Sequence, residues 1–161
     1  MSKRKTMPWW IAIGVFIADR VTKALASREI APFPLIPGVI GYRYARNTGM
    51  AFSLLSGRPW LLGAISLLIL IAGFFALRRC ELDGLSRVGA MLVLGGAVGN
   101  MADRFATGYV TDMLELLFMD FAIFNLADVC LTVGCGLMAL SVLVHPAAWG
   151  RRERDGDGSD D

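Results

Sequence analysis

The stretch FAIFNLADVCLTVGCGLMALSVLV, residues 121–144, is apolar along almost its whole length, yet it contains Asp128. A helix of this length can cross the hydrocarbon core of a membrane, which is about 30 Å thick. Counted from Phe121, Asp128 would lie about 10 Å below the outer end of such a helix. An ionised carboxylate inside a membrane costs about 3 kcal/mol or more, so a chain that keeps one there usually uses it.

Three further apolar stretches have similar lengths: residues 7–26, 60–77 and 88–106. The 161 residues are 55% hydrophobic, with a mean hydropathy of +0.55, whereas soluble domains average about 45–50% apolar residues. Backbone groups in lipid must be hydrogen-bonded internally, which requires helices here. The sequence therefore predicts an all-α membrane protein, a bundle of four transmembrane helices in one domain over residues 1–149. The net charge of +2 argues against a nucleic-acid partner.

Basic residues indicate the orientation of the bundle. They cluster at 3–5, at 78–87 and at 151–154, which lie before the first stretch, between the second and third, and after the fourth. By the positive-inside rule these segments are cytoplasmic, and so are both termini. The opposite connections also carry Arg28, Arg43, Arg46 and Arg58, so the bias is moderate. The polar tail, residues 150–161, is predicted to be disordered.

The N-terminus leaves an alternative open. Lys3–Lys5, the apolar residues 9–18 and the box Ala24–Ala26 follow one another as in a cleavable signal peptide. Asp19, Arg20 and Lys23 lie between the apolar region and the box, where such charges are unfavourable. We therefore expect the first stretch to be retained.

The two outer connections have patterns of their own. In residues 27–57, three prolines exclude a helix, and the alternation of Ile40–Ala45 predicts a short strand in a small β-like cradle. In residues 107–120, the amphipathic run 113–118 predicts a short interfacial lid helix.

Polar side chains gather at one depth, near the outer ends of the predicted helices. The inner halves are nearly bare of them, Ser66 and Ser141 being minor, which argues against a proton or ion path. A transport protein and a non-catalytic scaffold with buried ion pairs remain the alternatives to an enzyme. The residues of the polar layer are Asp19, Lys23, Asn47, Asn100, Asp103, Arg104, Asp112, Asn125 and Asp128.

Two neighbouring carboxylates cannot both ionise easily, and such a pair can share a proton and hold a water for hydrolysis. This chemistry needs no metal or other cofactor. The sequence has no HExxH motif, and Cys80, Cys130 and Cys135 lack metal-type spacing and are expected to be packing residues. His145, at the end of a stretch, is expected to be an interfacial or capping residue.

Spacing alone does not decide which aspartates form the pair. Asp19 has Lys23 one turn away and Asp103 is followed by Arg104, so both are expected to form structural ion pairs. Asp112 and Asp128 have no cation within four residues and are the better candidates. Gly95, Gly96 and Gly99 predict a close approach of the third and fourth helices, which would bring their polar faces together.

Five motifs in order resemble those of bacterial lipoprotein signal peptidase (signal peptidase II). The resemblance implies an aspartyl endopeptidase of the bacterial inner membrane with its active site toward the outer face. It would cleave a prolipoprotein before a diacylglyceryl-modified cysteine, with membrane lipid as its surroundings, and a monomer would suffice. The motifs are Asp19-Arg20-Val21-Thr22-Lys23, Asn47-Thr48-Gly49-Met50-Ala51-Phe52-Ser53, Gly95-Gly96-Ala97-Val98-Gly99-Asn100-Met101-Ala102-Asp103-Arg104, Val110-Thr111-Asp112 and Phe124-Asn125-Leu126-Ala127-Asp128.

The same resemblance assigns roles to the residues. Asp112 and Asp128 match the catalytic pair. Arg20 stands where the family more usually has Gln, and Met113-Leu114 stands where Phe-Ile is common. The residues that match site-ordering positions are Asn47, Asn100, Asp103, Arg104 and Asn125, together with Asp19 and Lys23 of the first motif.

Overall fold

The computed structural model describes residues 6–26, 30–49 and 57–149. The expectations for the basic segment 3–5, Arg28, residues 50–53 of the second motif and the tail 150–161 fall outside these residues.

The described residues form four long helices: α1 (Trp9–Ala26), α2 (Pro59–Leu77), α3 (Gly84–Ala106) and α4 (Leu126–Val144). Helices α2, α3 and α4 are each long and apolar enough to cross a membrane. Helix α3 is central, since it packs against α1, α2 and α4. The fold is therefore a mostly helical membrane bundle, as the hydropathy pattern predicts.

Helix α1 carries an apolar stripe that faces away from the bundle. Trp10, Ile13, Ile17, Val21 and Leu25 are each more than half exposed, at three- and four-residue spacing. Its polar residues Asp19 and Lys23 are buried on the opposite side, against α3.

Three strands form a small antiparallel sheet in the order β1 (Phe33–Ile36), β2 (Ile40–Asn47) and β3 (Val110–Leu116). Gly38 has a φ of 74° in the turn between β1 and β2, a conformation that favours glycine. The predicted strand at Ile40 is confirmed within β2, and with it the small sheet.

The predicted lid helix over residues 113–118 is wrong. Met113–Leu116 belong to β3, where Leu114 pairs with Tyr42 and Leu116 with Ile40. Met, Leu and Glu are good helix formers, but the backbone hydrogen bonds offered by β2 outweigh that local preference.

The starts of α3 and α4 differ from the apolar stretches by four residues or more. Helix α3 begins at Gly84, four residues before the predicted start, because the Asp83 side chain caps it by accepting from the Ser86 backbone N–H. Helix α4 begins at Leu126, five residues after the predicted start. Phe124 exchanges backbone hydrogen bonds with Leu114 instead, and Asn125 caps α4. Asp128 therefore lies in the first turn of α4, not deep within a span.

Small residues allow α3 and α4 to pack closely in antiparallel directions. A Cβ on Gly89 would lie 2.6 Å from the Gly134 carbonyl oxygen, and one on Gly96 would lie 2.6 Å from that of Ala127. The expectation of close packing is confirmed for Gly96. Gly95 and Gly99 instead face α1, where a Cβ would meet Ala12 and Asp19, respectively.

Candidate active site

Asp112 lies in the middle of β3, where Ala45 of β2 is its pairing partner. The residue is only 2% exposed. Its two carboxylate oxygens accept hydrogen bonds from two side-chain amides: Oδ1 from Asn125 Nδ2 at 2.6 Å, and Oδ2 from Asn47 Nδ2 at 3.0 Å. The sheet thus fixes the backbone of Asp112, and the two amides fix its side chain.

Asp128 is held in the first turn of α4 by a reciprocal cap. The Asn125 side chain accepts from the Asp128 backbone N–H at 3.0 Å, and Asp128 Oδ2 accepts from the Asn125 backbone N–H at 3.2 Å. The other carboxylate oxygen, Oδ1, accepts from Asn100 Nδ2 of α3 at 2.8 Å. Asp128 therefore has a fixed orientation before any substrate binds.

Asn125 links the two aspartates. Because its carbonyl oxygen accepts from the Asp128 backbone, its amide nitrogen must face the opposite way. That nitrogen donates to Asp112 Oδ1 at 2.6 Å and to Asn100 Oδ1 at 3.2 Å. The chain of amides joins strand β3, helix α3 and helix α4 in one buried polar site, so the separate motifs converge.

The surroundings of Asp112 change its acidity. Burial raises the pKa of the Asp112 carboxyl to about 6, and the negative charge of Asp128 acts in the same direction. The hydrogen bonds from Asn47 and Asn125 oppose this rise without cancelling it. Such a carboxyl holds its proton at higher pH than an exposed aspartate does, as expected for a member of a proton-sharing pair.

The other two aspartates of the polar layer lie between α1 and α3 and pair with cations: Asp19 with Lys23, as predicted, and Asp103 with cations of α1 instead of Arg104. Lys23 Nζ lies 2.9 Å from Asp19 Oδ2 and 2.8 Å from Asp103 Oδ2. Arg20 also pairs with both, at 2.8 Å from Asp19 Oδ2 and 2.6 Å from Asp103 Oδ1.

Arg20 is the residue of this cluster that sequence reasoning missed, because Asp103 lies 83 residues away along the chain. Helical periodicity gives the signal that could have found it. Arg20 and Lys23 are three residues apart and therefore share a helix face.

Arg104 does not make the ion pair with Asp103 that adjacency suggests. Its guanidinium donates to two backbone carbonyl oxygens, of Asn100 at 3.3 Å and of Gly49 at 3.4 Å. Gly49 follows Asn47, whose Oδ1 accepts from the Gly49 backbone N–H at 3.0 Å. Arg104 thus connects the end of α3 to the chain beyond β2, at the edge of the site.

The arrangement is suited to proton transfer by carboxyl groups. The buried Asp112 and the half-buried Asp128 lie within one amide network, and the pKa of Asp112 is raised. Within residues 6–26, 30–49 and 57–149, no three His, Cys, Asp or Glu side chains cluster as ligands of a metal ion would.

Comparison with known proteins agrees with these features. Residues 11–144 match the family model described as signal peptidase (SPase) II. A lipoprotein signal peptidase of Nostoc sp. is 37% identical over 158 residues, which cover 93% of this chain and 98% of that protein. A lipoprotein signal peptidase of Symbiobacterium thermophilum is 41% identical over 140 residues, which cover 83% and 92%. A solved bacterial membrane enzyme superposes with a TM-score of 0.78 at 32% identity, covering 89% of this chain and 92% of that one. The chain belongs to the signal peptidase II family.

Proposed function

We propose that this protein is a membrane aspartyl endopeptidase that removes the signal peptide from diacylglyceryl-modified prolipoproteins, cleaving before the lipidated cysteine. The observation that carries the proposal is the pairing of Asp112 and Asp128 in one amide network, together with the raised pKa of Asp112. Membership of the signal peptidase II family supports the choice of substrate.

In this reaction the pair shares one proton and holds a water between its carboxyl groups. The ionised carboxylate takes a proton from the water as its oxygen attacks the scissile carbonyl carbon. The protonated carboxyl, which we assign to Asp112, donates its proton to the carbonyl oxygen and gives a neutral diol. When the C–N bond breaks, the carboxyl that took the water proton gives it to the amine of the cysteine, the ionised Asp112 takes a proton from a diol hydroxyl, and the pair again holds one proton.

The remaining polar residues order this pair. Asn125, Asn100 and Asn47 donate to the catalytic oxygens, so they fix where the carboxylates point. Asp19, Lys23 and Asp103 hold α1 against α3 beside Asn100, and Arg104 holds the chain after β2. These are site-ordering roles: the three asparagines contact the carboxylates directly, and the other residues act through a neighbour of the pair.

The membrane placement follows from charge and exposure. The exposed apolar stripe of α1 supports a fourth transmembrane span. Arg78, Arg79 and Arg87, near the α2–α3 connection, support a cytoplasmic location for that end and therefore for both termini. The active site then opens at the outer face of the bacterial inner membrane. There the acyl chains of the substrate can remain in lipid, and one monomer supplies both aspartates.

The test is a gel-shift assay with a diacylglyceryl-modified prolipoprotein in detergent. Asp112→Asn and Asp128→Asn should each lower the cleavage rate by about a thousandfold or more, because each removes one proton-transfer group. Asp120→Asn is the matched control. Asp120 is an exposed carboxylate between the two in sequence, and its loss should leave the rate within about twofold. Full cleavage by a folded Asp112→Asn or Asp128→Asn protein would refute the assignment of these two residues as the catalytic pair.

A further inference from the structure

Between α1 and α3, two carboxylates and two cations form a charge-balanced cluster. Asp19, Lys23 and Asp103 are 0%, 3% and 6% exposed, whereas the Arg20 side chain is 31% exposed at the edge. Buried carboxylates are tolerated when cations match them, and an uncompensated one is strongly unfavourable. In this chain, Arg20 and Lys23 together supply two positive charges that match those of Asp19 and Asp103.

Lys23 has a further contact that leads toward the catalytic pair. Besides the two carboxylates, its ammonium donates to Asn100 Oδ1 at 2.7 Å. A cation at Oδ1 requires the oxygen of the Asn100 amide to face Lys23, so its nitrogen faces the other way. That nitrogen is the donor to Asp128 Oδ1 at 2.8 Å. The orientation of Asn100 therefore depends on Lys23, the charged donor to its Oδ1, together with the Asn125 amide, which donates to the same oxygen at 3.2 Å.

Arg20 shares the two carboxylates with Lys23, and its positive charge reduces their electrostatic attraction for the Lys23 ammonium. Its Nη1 donates to Asp103 Oδ1 at 2.6 Å, and its Nη2 donates to Asp19 Oδ2 at 2.8 Å and to the Gly99 carbonyl oxygen at 3.1 Å. A neutral side chain at this position would leave Lys23 facing two carboxylates with one charge. The ammonium would then be drawn toward them and away from Asn100.

We propose that Arg20 is a positioning residue for the reaction: it balances the second carboxylate, so that Lys23 keeps its hydrogen bond to Asn100 and Asn100 keeps donating to Asp128. The inference rests on the proposed function and extends it to a residue that acts through two intermediaries, Lys23 and Asn100.

The test compares Arg20→Gln, Arg20→Lys and the double variant Arg20→Gln/Asp103→Asn in the gel-shift assay, with kcat and KM measured separately. Arg20→Gln should lower kcat about tenfold, the size of one disturbed hydrogen bond to a charged group, with KM within about twofold. Arg20→Lys keeps the charge and should keep kcat within about threefold. The double variant removes one positive and one negative charge, so it should recover most of the kcat lost in Arg20→Gln.

Three results would overturn the inference: an unchanged kcat in Arg20→Gln, an Arg20→Lys variant as slow as Arg20→Gln, or a double variant slower than Arg20→Gln. A purely structural role would instead lower the thermal stability of Arg20→Gln while its kcat per folded molecule stayed normal. If wild type cleaves while Arg20→Gln is unaffected, this inference fails and the proposed function stands. A wild-type protein that gives no shift would refute both.

Discussion

An aspartate site lies at each end of the contact between α3 and α4, the half-buried Asp83 at one end and the buried Asp112 at the other, and the two sites have opposite effects on the acidity of the carboxyl group. In the orientation proposed above, the end beside the α2–α3 connection is the inner one and the end beside β3 is the outer one. At the inner end, Asp83 Oδ1 accepts from the Ser86 backbone N–H, the Ser86 hydroxyl and the Ser141 hydroxyl at 2.5–2.9 Å. Its Oδ2 lies 3.0 Å from His145 Nδ1. At the outer end, Asp112 accepts hydrogen bonds from two side-chain amides, and the negative charge of Asp128 acts on it electrostatically.

The difference appears in acidity. Hydrogen bonding from Ser86 is the largest cause that lowers the pKa of Asp83 to about 2, and Ser141 and His145 add to it. Burial raises the pKa of Asp112 to about 6. Donors that outnumber the oxygens of a carboxylate hold it ionised and make it a structural anchor. Burial and a second carboxylate nearby raise the pKa, so that the carboxyl group keeps a proton that it can donate in a reaction.

The largest effect is expected where α3 and α4 pack closely between the two ends, a contact called the seam below. Gly96→Ala would place a Cβ 2.6 Å from the Ala127 carbonyl oxygen, one turn from Asn100 and Asp128. Overpacking of this kind costs about 1–3 kcal/mol, and the shifted helices should also lower the cleavage rate about tenfold. Melting temperature and gel shift measure the two effects.

Gly136→Ala is the control for the seam, because a Cβ there has no atom within 4 Å. Alanine is the better helix former, so this variant should be as stable as wild type or slightly more stable. A Gly96→Ala protein that behaved like Gly136→Ala would show that the α3–α4 contact tolerates separation.

The two carboxylates should give opposite dependences of stability on pH. The stabilisation from Asp83, whose pKa is lowered to about 2, is present above about pH 4 and is lost as the pH falls from about 4 to 2. The contribution of Asp112, whose pKa is raised to about 6, is lost as the pH rises from about 4 to 6. Each amounts to about 2–3 kcal/mol, at about 1.4 kcal/mol per pKa unit.

The measurement is the melting temperature in detergent of wild type minus that of Asp83→Asn, and minus that of Asp112→Asn, between pH 2 and 7. The first difference should grow as the pH rises through its window, and the second should shrink through its own. Two differences with the same sign of slope would contradict the comparison.

At neutral pH, Asp83→Asn should lower stability by about 2 kcal/mol, because the neutral amide loses the preference of the site for a negative charge. Cleavage per folded molecule should change little, since Asp83 lies at the opposite end of α3 from Asn100. Thermal unfolding followed by cleavage at a lower temperature separates the two readouts. A stable variant that cleaves poorly would mean that the inner end controls the outer one.

The smallest effect is expected at His145. Its side chain is 58% exposed beside Asp83, and exposed ion pairs contribute under about 1 kcal/mol. His145→Ala should therefore shift the melting temperature by only a few degrees at low salt, and by less at high salt. A loss as large as that of Asp83→Asn would show that the imidazole, not the serine hydroxyls, anchors the inner end.

The same comparison shows what sequence reasoning reached. In the sequence, the absence of a local cation separates Asp112 and Asp128 from Asp19 and Asp103. In the structure, the first two accept hydrogen bonds from side-chain amides and the second two form ion pairs. Charge pairing within one helix turn is visible in a sequence because it depends on periodicity alone.

Features that depend on contacts between residues distant along the chain could not be predicted from the sequence. Residues 121–124 are as apolar as the helix after them, but Phe124 bonds to β3, so hydropathy misplaced the start of α4. Ser141 was read as minor, yet it is fully buried and joins Asp83 and Ser86 across two helices. Such pairings arise only when the helices pack.

The most direct test of the account measures cleavage and melting temperature side by side for Asp112→Asn and Asp83→Asn, in the same detergent at neutral pH. The account predicts that Asp112→Asn remains folded and gives no gel shift of a diacylglyceryl prolipoprotein, with a rate lowered about a thousandfold or more. It predicts that Asp83→Asn melts at a lower temperature and, while folded, cleaves within about threefold of wild type. Cleavage by Asp112→Asn, or a folded Asp83→Asn protein without activity, would contradict it.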